Sequence, residues 1–453
     1  MRLGLANLAR TPLSWVGTTV ATTAAVLFLI FLALEFFGYL SNPYLGLLVF
    51  VALPAAFVLG LLLIPLGLWR AQRRTASGGE VEWPVLDLRQ PHHRRVVTSI
   101  FALTLVNVLI VSLAAYGGVH YMESTEFCGE VCHTPMEPQY VAYQDAPHSR
   151  VPCVSCHVGS GAQNFVRAKA NGTRQLWQVV TGGYTRPIPS PVHNMRPARE
   201  TCEQCHWPEK MHGDRPRVIR EFADDEANSE TVTTFELHVG GGSEKLGVAS
   251  GIHWHMNLAN RIEYVASDPA RQTIPFVRLT RRDGSVSEYW APNTGPAQTA
   301  GGDVRRMDCI DCHNQPAHRF EPTPERAADN AMAAGLLPRT LPFARREAVA
   351  AISAEYPDTE AAMSGIDATL RSFYTNRKTG DQQVIEEAIR ATQQVYRRNV
   401  FPGMAQKWGT HPDNLGHVFS QGCFRCHDDE HKSSDGRVIR QDCALCHTEP
   451  EVK

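Results

Sequence analysis

The sequence predicts a mainly α-helical chain with little regular structure: three transmembrane helices, then a large outer domain holding a small β-rich insertion. Three observations carry this. Long apolar stretches are confined to the first 119 residues, a Cys/His spacing recurs six times beyond Phe127, and β-prone alternation is concentrated in 209 to 305.

Trp15 to Leu40 is apolar apart from Glu35, Leu45 to Trp69 has no charge, and Val96 to Tyr116 is again uncharged. Each reaches the roughly 20 residues that cross a bilayer. The first is longer than the apolar core of a cleavable signal peptide and lacks a clear small-residue cleavage site, so it is expected to stay as an anchor. Arg2 and Arg10 precede it, the turn Ser41 to Tyr44 is uncharged, and the second loop holds Arg70, Arg73, Arg74, Arg89, Arg94 and Arg95 against Glu80, Glu82 and Asp87. By the positive-inside rule the N-terminus and that loop lie in the cytoplasm, and everything after His120 lies outside a bacterial inner membrane, in the periplasm. His92 and His93 then fall on the cytoplasmic side as interfacial loop residues. Residues 1 to 119 form the expected membrane domain.

The outer part begins with FCGEVCHTPMEPQYVAYQDAPHSRVPCVSCHV, Phe127 to Val158. Cys153-Val-Ser-Cys156-His157 places two thiols to add across the two vinyl groups of one porphyrin, with the adjoining imidazole set to bind its iron. Cys128, Cys132 and His133 form the same arrangement with one extra residue between the thiols. Further copies stand at Cys202/Cys205/His206, Cys309/Cys312/His313, Cys423/Cys426/His427 and Cys443/Cys446/His447, and together they use all 12 cysteines. Structural zinc does not require a histidine after every second cysteine. A disulfide across two residues would be strained and would leave the histidine unexplained. The outer part is therefore read as a periplasmic multihaem cytochrome c domain with six covalently bound haem c. Met136, three residues after His133, is either an apolar contact or a rival ligand, so the first iron takes His133 or Met136.

Of 44 Lys and Arg and 46 Asp and Glu, 8 and 4 precede His120, which gives the outer part a formal charge of −6. That balance excludes a nucleic-acid role and suits docking to basic faces of other electron carriers. Residues 120 to 320 are expected to form a four-haem domain, including the insertion 209 to 305. Within it, Phe165 to Val180 reads as a helix, and Pro187, Pro189 and Pro191 force an extended passage. Thr231 to Val239 alternates, and two β-prone runs flank Arg282-Asp283-Gly284, so a small β-rich cap is expected. Residues 321 to 400 read as a helical connector broken at Gly335 to Pro338, Pro342 and Pro357, and 401 to 453 as a C-terminal two-haem module.

Eleven outer histidines lie outside the motifs: His120, His148, His193, His212, His238, His253, His255, His318, His411, His417 and His431. Each electron-transfer haem needs a second axial ligand, usually His or Met. His148 and His318 stand five residues from a motif, and His417 and His431 flank the one at Cys423, where they would serve the terminal pair. His253 and His255, two residues apart, point the same way if locally extended. At least one of them is expected to ligate.

Residues 96 to 213 resemble the NapC/NirT/NrfH family of membrane-anchored periplasmic cytochromes through FCGEVCHTPM, SRVPCVSCHVG, RAKANGTRQ and PVHNMRPARETCEQCHWP. The resemblance implies that His148 ligates the third haem and His318 the second. It implies a quinol site by the first haem, with Lys169 at the family's lysine position and Gln175 where the family has an accompanying Asp. The implied function is a membrane-bound hexahaem quinol dehydrogenase, of quinol:cytochrome c oxidoreductase type. It would oxidise quinol of the menaquinol class and pass electrons to periplasmic c-type cytochromes or a terminal reductase in anaerobic or extracellular respiration. The alternative is a relay subunit docked to a separate oxidoreductase, without a quinol site of its own. A third reading is a terminal reductase with one iron open to substrate.

Overall fold

The computed structural model describes residues 12–36, 48–75, 89–159, 162–191, 197–207, 211–243, 247–257, 259–299 and 301–453. The turn at 41 to 44, most of the arginine-rich loop and His193 lie outside them, as do the side chains of Glu35, His92, His93 and His133. The chain divides into two compact units, Met1–Cys132 and His133–Lys453.

The first unit is built from α1 (Pro12–Phe36), α2 (Leu53–Thr75) and α3 (Pro91–Met122). Among the described residues two stretches, Pro12–Leu34 and Leu105–Met122, are long and apolar enough to span a bilayer, while the apolar part of α2, Leu53–Gly67, is shorter. The expected second span, Leu45 to Trp69, begins in residues outside those described, and within them the chain spends 48–52 in a π-turn and meets Arg70 soon after Gly67. Small residues let α1 and α2 approach closely. Ala21 and Ala24 are buried, and the Ser14 hydroxyl donates to Ile64 O at 3.0 Å. A Cβ on Gly60 would lie 2.6 Å from Ala21 N, and one on Gly17 2.8 Å from Gly60 O. Gly60→Leu is therefore expected to cost at least about 2 kcal/mol by overpacking. Thermal unfolding of the detergent-purified protein should show this as a lowered midpoint, and an unchanged midpoint would mean that the helices are not held this closely.

The second unit starts with α4 (His133–Gln144), α5 (Cys153–His157), α6 (Ala162–Thr181) and α7 (Ala198–Cys202). Long strands β1 (Gly213–Phe222) and β2 (Glu230–Ser243) then pair antiparallel, from Asp214 with His238 to Phe222 with Glu230. β3 (Gly247–Ser250) continues that sheet. A second sheet, in the order β6-β5-β4-β7, is made from β4 (Asn260–Val265), β5 (Phe276–Arg281), β6 (Val286–Trp290) and β7 (Val304–Arg306), with the short turn α8 (Pro296–Thr299) before its last strand. The Asp283-Gly284 signal closes β5 onto β6, with Gly284 at φ 82°. Ile262, Tyr264, Val277, Leu279 and Tyr289 form its core.

The one-turn helix α9 (Cys309–Cys312) carries the fourth motif. Four helices follow, α10 (Pro324–Ala333), α11 (Ala344–Ser353), α12 (Thr359–Arg377) and α13 (Gln382–Asn399); the expected breaks at Gly335 to Pro338, Pro342 and Pro357 fall between the first three, and the break at 378–381, around Gly380, was not expected. Thr323, Asp358 and Asp381 accept backbone N–H groups at three of their starts. Met332, Leu341, Ile352, Ile366, Leu370, Tyr374 and Tyr396 fill their core. This bundle grips the β1–β2 turn. Asn228, at φ 51°, donates through Nδ2 to Arg339 O and Leu341 O, and buried Asp329 accepts from Phe222 N and Arg345 Nε.

The insertion is more than a cap. Its β2 takes on the strand β8 (Glu451–Val452), and Trp290 exchanges backbone bonds with Lys432. The C-terminal segment thus rests on both sheets of the insertion.

Candidate haem clefts

Each motif folds as one tight turn. In α5 and α9, and in the 3₁₀ turns Gly422–Arg425 and Cys443–Leu445, the first and second cysteines stand three apart and so share a face. The N–H groups of His206, His313, His427 and His447 donate to the carbonyls of Cys202, Cys309, Cys423 and Cys443 at 2.8–3.1 Å, which fixes where each histidine follows. In the first motif the extra residue is absorbed by a π-turn, Phe127–Val131, whose ring of hydrogen bonds is one residue wider. None of the 12 cysteines is in a disulfide.

The motif histidines do not face their sequence neighbours. His157 lies opposite His318 with ring centroids 6.2 Å apart, His206 opposite His148 at 5.9 Å, and His313 opposite His253 at 6.2 Å. His427 faces His255 at 5.8 Å and His447 faces His417 at 6.3 Å. A metal held by two imidazoles at the usual nitrogen distance of roughly 2 Å sets the centroids about 6 Å apart, so the five pairs fit an iron between them.

The hydrogen bonds agree with that fit. Nδ1 of His148, His253, His255 and His318 meets the carbonyls of Pro316, Val239, Ile252 and Gln139 at 2.8–2.9 Å. Nδ1 of His427 and His447 meets the carbonyls of Arg440 and Thr448 at 2.7–2.8 Å. A carbonyl only accepts, so each Nδ1 carries the proton and Nε2 keeps a lone pair for a metal. Burial holds His255, His313 and His318 below the ordinary histidine range, which favours the neutral, ligating imidazole. Beside the last pair lies a cleft of about 890 Å³ lined by His238, Arg440, Cys443, His447 and Thr448.

The motif thiols also meet in succession. Cys156 is pushed up by burial and then by Cys202, Cys153 and Cys205. Cys202 and Cys309 shift each other in turn, Cys202 downward and Cys309 upward. Cys312 is pushed up to about 12 by burial and by Cys423, which also neighbours Cys446. Motifs two to six therefore follow one another in space as they do in sequence.

Other expected residues are placed differently. His431 is corrected as a ligand: it is buried, Nδ1 bonds Asp428 Oδ2 at 2.8 Å and Nε2 bonds Ile274 O at 2.7 Å, so neither nitrogen is left for an iron. His253 and His255 do not point the same way, because 252–256 is a 3₁₀ turn in which residues two apart diverge by about 120°. His238 bonds Asp214, and His411 packs against Phe320. Met136 is half-buried on α4. Lys169, half-buried, and Gln175, exposed, both stand on α6, but six residues of helix set their side chains about 120° apart.

One buried network was not read from the sequence. Asp311, between the thiols of the fourth motif, accepts from Tyr264 OH at 2.7 Å, Arg305 Nε at 3.0 Å and Arg271 Nη1 at 3.4 Å, and its other oxygen accepts from Asp308 N at 2.7 Å. Burial and the Asp311 carboxylate push the Tyr264 hydroxyl far above the tyrosine range. Asp308 in turn accepts from Ala198 N at 2.7 Å, which ties the third motif to the fourth.

Residues 90–187 match the sequence profile of the NapC/NirT cytochrome c family, N-terminal region. The chain is 41% identical over 446 residues, 96% of its own length and 87% of the relative's, to the cytochrome c-type protein ImcH of Geobacter sulfurreducens. It is 25% identical over 164 residues, 32% of its length and 44% of the relative's, to the cytochrome c-type protein TorY of Haemophilus influenzae. No solved structure matches the chain significantly.

Proposed function

We propose, from the premise that this chain belongs to the ImcH-like, NapC/NirT-type membrane cytochromes c, that it is a hexahaem quinol dehydrogenase of the bacterial inner membrane. The single observation that carries the electron-transfer reading is the set of five histidine pairs at 5.8–6.3 Å. Bound haem supplies a one-electron Fe(III)/Fe(II) couple at each motif. His157 with His318, His206 with His148, His313 with His253, His427 with His255, and His447 with His417 would hold the irons. Two imidazoles at one iron leave no position for substrate, so these five sites suit relay over reduction of a bound molecule.

The succession of thiols supports a path from the second motif to the sixth, with exit to periplasmic c-type cytochromes or a terminal reductase. Entry belongs to the first motif, at the end of three proposed membrane crossings with the N-terminus cytoplasmic. Lys169 is the residue proposed to handle quinol: its ammonium can donate to a quinol oxygen and stabilise developing negative charge as the proton leaves. Gln175 can orient but cannot accept a proton. The exposed Leu176, Trp177 and Val180 on the same helix suit an apolar surface.

Anaerobic mixing of the purified protein with a reduced menaquinone analogue tests the proposal, since no partner is then present to supply electrons. Lys169→Gln is expected to slow quinol-driven reduction by tenfold or more, about 1.4 kcal/mol or more of barrier, with an unchanged dithionite-reduced spectrum. Parental protein that quinol cannot reduce would move the reading to the docked relay.

A further inference from the structure

The turn that follows β3 does two jobs at once. In Ile252–Met256, His253 faces His313 of the fourth motif and His255 faces His427 of the fifth. The two ring pairs differ in kind: the first is near parallel at 8°, the second near perpendicular at 84°. Both rings are aimed by backbone carbonyls, Val239 O for His253 and Ile252 O for His255. Trp254 between them packs against the core of the second sheet, as does Cys426, a thiol of the fifth motif. We propose that this turn is a shared ligand clamp, in which His253 binds the iron of the fourth haem and His255 the iron of the fifth. The proposal rests on the haem reading given above and extends it to the junction between the four N-terminal haems and the C-terminal pair.

Gly251 is the positioning residue of the clamp. It takes φ 71° and ψ −173°, a conformation open to glycine alone, and a Cβ there would lie 2.4 Å from His238 O and 2.8 Å from Gly240 Cα. The turn's direction is therefore fixed by one residue that touches neither ring. A substitution there moves both imidazoles together, whereas a change at either histidine touches one iron. Two haems bound to one three-residue segment are also held at a fixed separation, whatever happens elsewhere in the insertion.

The test uses the full chain purified in detergent, with three variants: His253→Met, His255→Met and Gly251→Ala. Haem stoichiometry by pyridine haemochrome is read first, because its failure at motifs four and five would sink the haem reading itself and not only the clamp. Each His→Met variant is expected to keep its haems, lose one bis-imidazole low-spin signal in electron paramagnetic resonance, and gain the far-red band of a Met-ligated haem with one raised midpoint potential. The signal lost should differ between the two variants. Gly251→Ala is expected to perturb both of those signals in one protein; if it fails to fold, the two histidine variants still decide. Low-spin signals unchanged in either histidine variant, or the same signal lost in both, would overturn the clamp.

Discussion

Asp311→Ala is expected to destabilise the second unit, His133–Lys453, by about 3–5 kcal/mol, the usual cost of removing one partner from a buried charged network. The carboxylate is almost fully buried, and it is the meeting point of the second sheet and the fourth motif. Without it the Arg305 guanidinium, the Tyr264 hydroxyl and the Asp308 N–H lose their acceptor together, and Arg271 loses a weaker contact. Tyr264→Phe should cost only about 1 kcal/mol, since one neutral donor is lost and the charge balance is kept. The comparison is made by denaturation midpoints of the haem-loaded proteins. Equal small shifts in both variants would mean that the network is solvated and carries little.

Truncation after Val400 is expected to lower the accumulated protein by tenfold or more, in addition to removing two haems. Residues beyond that point are keyed into the rest of the unit at many places. Arg425 donates to Arg271 O and Asp311 O, Asn414 donates to Asp311 O, and His431 bonds Ile274 O. Trp408 Nε1 donates to Ile352 O at 3.1 Å, Phe401 and Met404 join Ala142 and Phe320 in one buried cluster, and β8 completes the first sheet. Cutting the segment away uncovers those faces and leaves several buried carbonyls without donors. A truncated chain that accumulates at the parental level with a parental melting curve would show that the C-terminal segment folds apart from the insertion.

The thiols and their adjoining histidines were legible because attachment chemistry is local: two cysteines and a histidine must lie within one turn. The resemblance supplied two partners, His318 for the second motif and His148 for the third, but the pairing of His255 with His427 was not legible, since it spans more than 150 residues. No periodicity encodes that. The spacing of His253 and His255 was visible, but the extended-chain assumption sent both rings to one side, whereas the Gly251 conformation starts a 3₁₀ turn that separates them. His431 looked like a ligand by proximity to Cys423, and its burial against Asp428 and Ile274 could not be read from one strand of text. The helices after Pro322 and the β5–β6 hairpin were legible for the opposite reason, since Pro, Gly and the caps act on their immediate neighbours. Within the insertion β1 was not read as a strand because, rich in Arg and ending in a single buried Phe222, it is largely exposed and lacks clean alternation.

Cys202 and Cys309, thiols of two different motifs, lie close enough in the folded chain for each to shift the other's titration. In an oxidising compartment such neighbours are prone to become a disulfide, and that crosslink would consume one attachment point from each of two motifs. On the haem reading proposed above, maturation would have a direction: thioether formation at Cys202 and Cys309 would come before the third and fourth motifs close together, or the pair would be kept reduced until it does. A chain that folds first would be locked in an off-pathway form short of two cofactors.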